Sequence, residues 1–329
     1  MENKKFKALE IKEVDNEFER NIIEKEINQL PEGELLIRVK YSSLNYKDAL
    51  SAIGNKGVTK EYPHTPGIDA AGIVVEDKSN NFQEGDKVIV TGYDLGMNTD
   101  GGFEEYIRIP SEWAVKLPEN LTLKESMTYG TAGFTAALSV HRLLTAGTPG
   151  KNILVTGPSG GVGSFACSIL AKKGYKITAA TGKTEAKEYF QSLGVKEIIS
   201  RSEVDDDSGR VLLKEKWDGV IDTVGGNMLA TAIKSTKYSG AVTCCGNVAS
   251  ADLPINVYPF ILRGVSLLGI DSVQVNRELR EEIWHKLAGD WKIEYLEKLG
   301  KEITLDELSN YIDKMLAGDS KGRIIINLN

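Results

Sequence analysis

Apolar and polar positions follow two different rhythms along this chain. Up to about residue 120 the apolar residues come in short runs, several with a period near two. Phe6–Ile11, Glu34–Tyr41, Ile68–Val75, Lys87–Val90 and Phe103–Ile109 each read as a strand, with turns such as Pro31-Glu32-Gly33 and Glu84-Gly85-Asp86 between them. Short strands punctuated by glycine turns predict a small barrel. Asn45–Leu50 breaks the rhythm as a helical turn or two after a strand. From about residue 121 helix and strand alternate. Leu123–Leu144 is largely helical. A helix is expected near 185–193, strands at 197–200 and 219–224, a helix near 227–237, and strands at 241–245 and 265–270. This alternation predicts an α/β fold with a doubly wound parallel sheet. Asn276–Ala288 reads as a helix. Thr304 and Glu307 form a capping box before a helix that stops at Gly318. Arg323–Asn327 is the last strand, and with no helix after it, it is expected to return to the first domain. The predicted division is 1–122, completed by about 290–329, and 123–289.

The second rhythm begins at one stretch. Ile153-Leu154-Val155 has the apolar continuity of a buried parallel strand. Gly157, Gly160, Gly161 and Gly163 follow, and Phe165, Ala166, Ile169 and Leu170 then recur at helical spacing up to Gly174. Strand, glycine turn and helix in that order point to a dinucleotide site. The glycines admit a pyrophosphate close to the backbone, and the helix N-terminus binds it. The same residues could form an unliganded turn, but the flanking strand and helix favour a ligand.

The next strand, Ile177–Ala180, selects among dinucleotides. Folds that bind NAD place a carboxylate at its end for the ribose 2′-hydroxyl. Here that turn is Thr181-Gly182-Lys183-Thr184, with no carboxylate before Glu185. A lysine and hydroxyls suit a 2′-phosphate, so the expected cofactor is NADPH. Thr184 also suits a cap for the helix near 185.

Bulk properties narrow the partners. The 329 residues carry 40 basic and 47 acidic side chains, a net charge of −7, which excludes a basic nucleic-acid surface. No apolar run reaches the ~18 residues of a membrane span. The first residues lack the apolar core of a signal peptide. Cys167, Cys244 and Cys245 are too few and too poorly spaced for a disulfide framework. A protein of the reducing cytoplasm that acts on a small molecule is expected.

Several ordered motifs resemble one family over the whole length. They are Ser42-Ser-Leu-Asn-Tyr-Lys-Asp48, Pro66-Gly-Ile-Asp-Ala-Ala-Gly72, Gly130-Thr-Ala-Gly-Phe-Thr-Ala136, Thr156-Gly-Pro-Ser-Gly-Gly-Val-Gly-Ser164, Asp222-Thr-Val-Gly225 and Pro259-Phe-Ile-Leu-Arg263. The chain resembles the medium-chain dehydrogenase/reductases, within them the zinc-free quinone oxidoreductases, and most closely the YhdH/YhfP branch that includes acryloyl-CoA reductases. The resemblance implies a GroES-like β-rich catalytic domain with an inserted Rossmann domain. It implies cofactor contacts from Tyr46, Thr131, Ser159, Gly160, Gly161, Val162, Thr181, Gly182 and Lys183. It places Arg201 near the adenine, and adds Asn247, with Ile261 and Leu262 near the nicotinamide.

Alcohol dehydrogenases of this superfamily place a zinc-ligating Cys and a Gly-His-Glu where this chain has Asn45-Tyr46 and Gly67-Ile68-Asp69. No Cys precedes Cys167, and His64, His141 and His285 are scattered, so no metal is expected. Hydride transfer then needs an acceptor that is already electron-poor: an enoyl thioester such as an enoyl-CoA, or a quinone. Reduction of the thioester leaves an enolate that needs a hydrogen-bond donor and a proton. Tyr46 is the expected donor, with Asp48 orienting it or a ribose hydroxyl. Tyr46 could instead only shape the pocket. An acyl-CoA would also favour basic residues at the site mouth, for which Lys56, Lys60 and Arg263 are candidates. A binding protein with little turnover is the reading of another class. An apolar edge strand at 265–270 would need covering, so a homodimer joined across the Rossmann sheets is expected.

Overall fold

A computed structural model describes residues 3–320 and 322–329. The chain divides into two compact units: Met1–Thr131 with Val273–Ala288 and Glu294–Asn329, and Ala132–Ser272 with Gly289–Ile293.

The first unit opens with β1 (Lys5–Val14) and β2 (Glu17–Glu26), paired antiparallel. The sequence pattern missed β2, because its ten residues are half-buried or exposed and strongly charged. The turn between them held the signal: Asp15 and Asn16 both have positive φ, 53° and 66°, as a tight hairpin turn requires. Then come β3 (Leu35–Leu44), α1 (Tyr46–Ser51), β4 (Asp69–Asp77), β5 (Lys87–Thr91), β6 (Tyr106–Ile109) and β7 (Ala114–Lys116). Helix α2 (Leu123–Ala146) is broken at Gly130, with φ 50° and ψ −157°. Only glycine fits there. A β-carbon would stand 2.4 Å from Asp69 Oδ2 and 2.5 Å from Ser43 Oγ.

The second unit is a six-stranded sheet of β8 (Asn152–Thr156), β9 (Lys176–Thr181), β10 (Glu197–Ser200), β11 (Trp217–Asp222), β12 (Thr236–Cys244) and β13 (Ser266–Gly269). The spatial order is β10-β9-β8-β11-β12-β13 and every pairing is parallel. This is the doubly wound Rossmann order, whose direction reverses between β8 and β11. The helices are α3 (Gly161–Lys172), α4 (Lys187–Ser192), α5 (Gly226–Ser235) and α6 (Tyr258–Arg263). Strand β12 starts at Thr236, five residues before the expected position, so α5 ends at Ser235. Leu154, Val220, Leu229, Ile233 and Val242 form one side of its core.

The chain then returns to the first unit through α7 (Arg277–Ala288), β14 (Gly300–Thr304), α8 (Leu308–Leu316) and β15 (Arg323–Asn327). The sequence reading put α7 in the Rossmann part. It groups with the first unit because its fully buried Arg280 donates to the carbonyls of Thr91 (2.6 Å) and Val273 (3.0 Å). Strand β15 pairs antiparallel with β3, from Ile324 opposite Leu44 to Asn327 opposite Tyr41. The sheet order is β14-β15-β3-β4-β5-β7, with β6 also on β3. This is the GroES-like domain, around Ile37, Val39, Val74, Val90 and Ile326.

Candidate functional site

In the second unit the glycine loop follows β8 at the point where the strand order reverses. Its glycines serve two purposes. Gly157 (φ 60°) and Gly163 are demanded by the protein's own packing: a β-carbon would lie 2.3 Å from Thr223 Oγ1 and from the Gly157 carbonyl oxygen, respectively. Gly160 is different. A β-carbon there would meet only the Gly157 carbonyl, at 3.4 Å. The protein leaves that space open, immediately before α3. Gly160 is also the N-cap residue of α3, and no side chain caps the helix. An open cradle before an uncapped helix N-terminus fits a pyrophosphate. Ser159, Gly161 and Val162 flank it, half-buried.

The loop is fixed from beside it. Asp222, at the end of β11, is fully buried. Its carboxylate accepts the Thr156 hydroxyl (2.7 Å) and the N–H groups of Gly225 (2.8 Å) and Val224 (3.2 Å). Thr223 donates its hydroxyl to the Thr156 carbonyl, at 2.9 Å. The ends of β8 and β11 are thus tied together where the glycine loop begins. Burial pushes the Asp222 carboxyl above its usual range.

At the end of β9 the expected turn is present but is shared differently among its residues. Thr181 is buried and its hydroxyl oxygen accepts the Lys183 N–H at 3.0 Å. It shapes the turn rather than presenting a hydroxyl. Thr184 does not cap a helix, since α4 starts at Lys187 with Ala186 as N-cap. Lys183 is exposed, and so is Arg201, directly after β10. Ser200 pairs with Thr181, and a β-carbon on Gly182 would stand 3.2 Å from Arg201 Nε. Gly182 therefore lets the guanidinium lie across the turn that carries Lys183. Asn247 is exposed just beyond β12. Ile261 and Leu262 lie on α6, 67% and 57% exposed.

In the first unit Tyr46 is the first residue of α1 and is 57% exposed. Asn45, before it, is the N-cap residue. Asp48 does not share Tyr46's exposure, which corrects the expectation that it could orient a ribose hydroxyl; its other expected role, orienting Tyr46, is open to it only through the start of α1. Its side chain is fully buried and accepts the N–H groups of Asn45 (2.7 Å) and Ile68 (2.8 Å). Burial, and secondarily the neighbouring Asp69, push its carboxyl up to about 7. Sequence reasoning passed over Asp69 and Arg323, which build the floor under this helix. Asp69 is fully buried. It accepts Ser43 Oγ (2.6 Å), Asn45 Nδ2 (2.7 Å), the Thr131 N–H (2.9 Å) and the Thr131 hydroxyl (2.6 Å). Arg323 Nη2 stands 3.8 Å away and donates to Ser43 Oγ at 2.8 Å. Thr131 sits directly after the Gly130 break.

Of the expected cations for an acyl-CoA, Arg263 is taken up inside the second unit. It donates to the carbonyls of Leu213 (2.6 Å) and Lys234 (2.8 Å). Lys56 lies 4.7 Å above the Tyr62 ring and 3.2 Å from Glu13. His64 is buried beside Asp100, and burial lowers its basicity. Among the described residues no group of three or more His, Cys, Asp or Glu stands close enough to hold a metal ion.

Comparison with known proteins agrees with both halves. Residues 31–119 match the alcohol dehydrogenase GroES-like domain and residues 161–289 the zinc-binding dehydrogenase domain. YhfP of Bacillus subtilis, classed with the quinone oxidoreductases, is 44% identical over 98% of this chain and 99% of its own. The chain belongs to the medium-chain dehydrogenase/reductase family, in its quinone-oxidoreductase-like branch. The YhfP crystal structure with NAD bound matches this member of the family with a TM-score of 0.96 over 99% of this chain and 100% of that one. Acrylyl-CoA reductase AcuI of Ruegeria pomeroyi is 41% identical over 92% of each chain. The structure of Escherichia coli YhdH with bound NADPH has a TM-score of 0.93 at 38% identity, covering 98% of this chain and 100% of that one.

Proposed function

We propose that this medium-chain reductase uses NADPH to saturate the carbon–carbon double bond of an acryloyl-CoA-like enoyl thioester. The observation that carries the reading is Tyr46, a phenol exposed at the start of a helix whose N-cap is clamped from below by buried carboxylates. The likeness to an acrylyl-CoA reductase and to a structure holding NADPH supports it. When bound, NADPH supplies a hydride to the β-carbon while one proton is taken up at the α-carbon, giving the saturated thioester and NADP⁺. The chain's own residues do the rest. The N–H groups of Gly160, Gly161 and Val162, with Ser159, hold the pyrophosphate. Lys183 and Arg201 bind the 2′-phosphate, and Gly182 gives them room. Thr131 and Asn247 serve the ribose and nicotinamide end. Tyr46 hydrogen-bonds the thioester oxygen, where negative charge accumulates, and then gives its one hydroxyl proton to the α-carbon, to be replaced from solvent.

A quinone is the second acceptor to test, on the likeness to YhfP. The deciding experiment follows NADPH oxidation with acryloyl-CoA, crotonyl-CoA and simple quinones. A kcat/KM for acryloyl-CoA well above that for any quinone is expected. The reverse order would make the protein a quinone reductase, and no turnover with either would leave a binding protein.

No helix among the described residues is long and apolar enough to cross a membrane, and the three cysteines are free, which suits the reducing cytoplasm. We also infer a homodimer. Strand β13 is an edge of the parallel sheet, and Val257, Ile261 and Leu262 ahead of it are exposed.

A further inference from the structure

We infer that Asp69 is the positioning residue of the reduction: one buried carboxylate that holds Tyr46 and Thr131 in place together. The inference rests on the reductase reading above. Four hydrogen-bond donors converge on the Asp69 oxygens, from two separated segments of the chain. Ser43 and Asn45 belong to the end of β3 and the N-cap of α1, so they set where Tyr46 begins. The Thr131 amide and hydroxyl belong to the restart of α2 after Gly130. Arg323, from β15, closes the cluster. It donates to Asn45 Oδ1 at 3.2 Å and to the Leu44 carbonyl at 3.3 Å as well as to Ser43.

This cluster is not what packing alone would ask for. Burying a carboxylate is costly unless it is fully hydrogen-bonded and paired. An apolar residue in this place would avoid that cost, but it could not orient two donors on Thr131 and two at the start of α1. Gly130 adds a second observation. A β-carbon there would collide with Asp69, Ser43 and Arg323, at 2.4, 2.5 and 2.8 Å, so the helix is broken where it passes the carboxylate. Both candidate site residues of the first unit are set by the same atom pair. A change at Asp69 should therefore move them together while leaving the cofactor loop of the second unit intact.

The test uses the full-length protein with Asp69→Asn and, as the milder change, Ser43→Ala. Hydrogen–deuterium exchange reads the amides of Thr131 and of α1. NADPH affinity is read by fluorescence titration, and kcat with acryloyl-CoA and with a quinone. For Asp69→Asn, faster exchange confined to Thr131 and α1 is expected. So is a fall in kcat of at least tenfold, with a smaller rise in the Kd for NADPH, about threefold, from the displaced Thr131 contact. Ser43→Ala should show the same pattern at a smaller size. Exchange that rises throughout the first unit, or an unchanged kcat despite altered exchange, would overturn the proposal. If the wild-type protein reduces neither acceptor, the reductase reading fails by itself. Unchanged exchange at Thr131 or at α1 would then still overturn the positioning role.

Discussion

In each unit a fully buried aspartate gathers a cluster of donors, Asp222 in the second and Asp69 in the first, and the two are used differently. Asp222 in the second unit accepts two backbone N–H groups and one hydroxyl, all from the neighbouring strand end or its own turn. Its partners are dictated by the order of the parallel sheet, and any sequence that folds this way brings them there. Asp69 in the first unit accepts mainly side chains, and they come from two separated segments, with an arginine from a third alongside. Arg323 reaches Ser43 and Asn45 across 280 and 278 residues of sequence. The local arrangement fixes a backbone loop; the long-range one fixes particular side chains. Under the proposed function the first unit would govern the chemical step and the second cofactor affinity.

The largest test of that division is Tyr46→Phe, which removes one hydroxyl and keeps the ring. Turnover with acryloyl-CoA should fall about 10²-fold, the low end for a positioned acid. Turnover with a quinone should fall much less, and the NADPH Kd should hardly move. If NADPH binding collapses instead, Tyr46 belongs to the cofactor side and the division fails at its centre.

The complementary change is Asp222→Asn. It leaves one oxygen for the Val224 and Gly225 N–H groups, which share Oδ2, and turns the acceptor of the Thr156 hydroxyl into a donor; losing such a bond costs ~1–3 kcal/mol. The Kd for NADPH should rise about tenfold or somewhat more, with kcat at saturating NADPH within about threefold. A change in kcat larger than in Kd would show that Asp222 reaches the chemistry.

A narrower effect is expected at the end of β9. Lys183→Ala and Arg201→Ala should each weaken NADPH by up to about tenfold, at the lower end of ~1.5–3 kcal/mol for a charged hydrogen bond. Binding of NADH should stay nearly unchanged. Isothermal titration of both nucleotides against both variants checks it. Equal weakening of NADPH and NADH would make these residues structural.

The comparison also explains what the sequence could and could not convey. The glycine loop, the Thr181–Lys183 turn and the Rossmann alternation are local patterns, and local patterns are readable. Arg201 follows a different strand, and that its guanidinium lies across Gly182 depends on the β9–β10 register, which no spacing rule supplies. Asp48 stands two residues after Tyr46, and that spacing says nothing about burial: residues two apart on a helix point to different faces. Arg323 offered a weak signal, a charged residue opening the run Arg-Ile-Ile-Ile in an apolar strand. Such a charge needs a buried partner, but the partner could not be named without the fold. Strand β2 was hidden because a solvated hairpin needs no apolar face.

The smallest effect concerns the pH dependence of stability in the first unit. Asp48 is held by two backbone N–H groups, which favour the carboxylate, but burial and the charge of Asp69 outweigh them and raise its carboxyl to about 7. Asp69 and Arg323 are the charged groups facing it. A carboxyl with a raised folded-state pKa binds its proton more tightly in the native protein than in the unfolded chain. Its stabilising contribution is complete below the ordinary pKa near 4 and is lost as pH rises through about 7. Asp48→Asn cannot ionise, so it lacks this slope, while it loses one acceptor for a backbone N–H at every pH. The variant should melt several degrees below wild type at pH 5, and the gap should narrow by pH 8. Thermal unfolding of both proteins across that range provides the measurement. Parallel curves would mean that Asp48 is ionised throughout, and that the cluster beneath Tyr46 carries two negative charges against the one positive charge of Arg323.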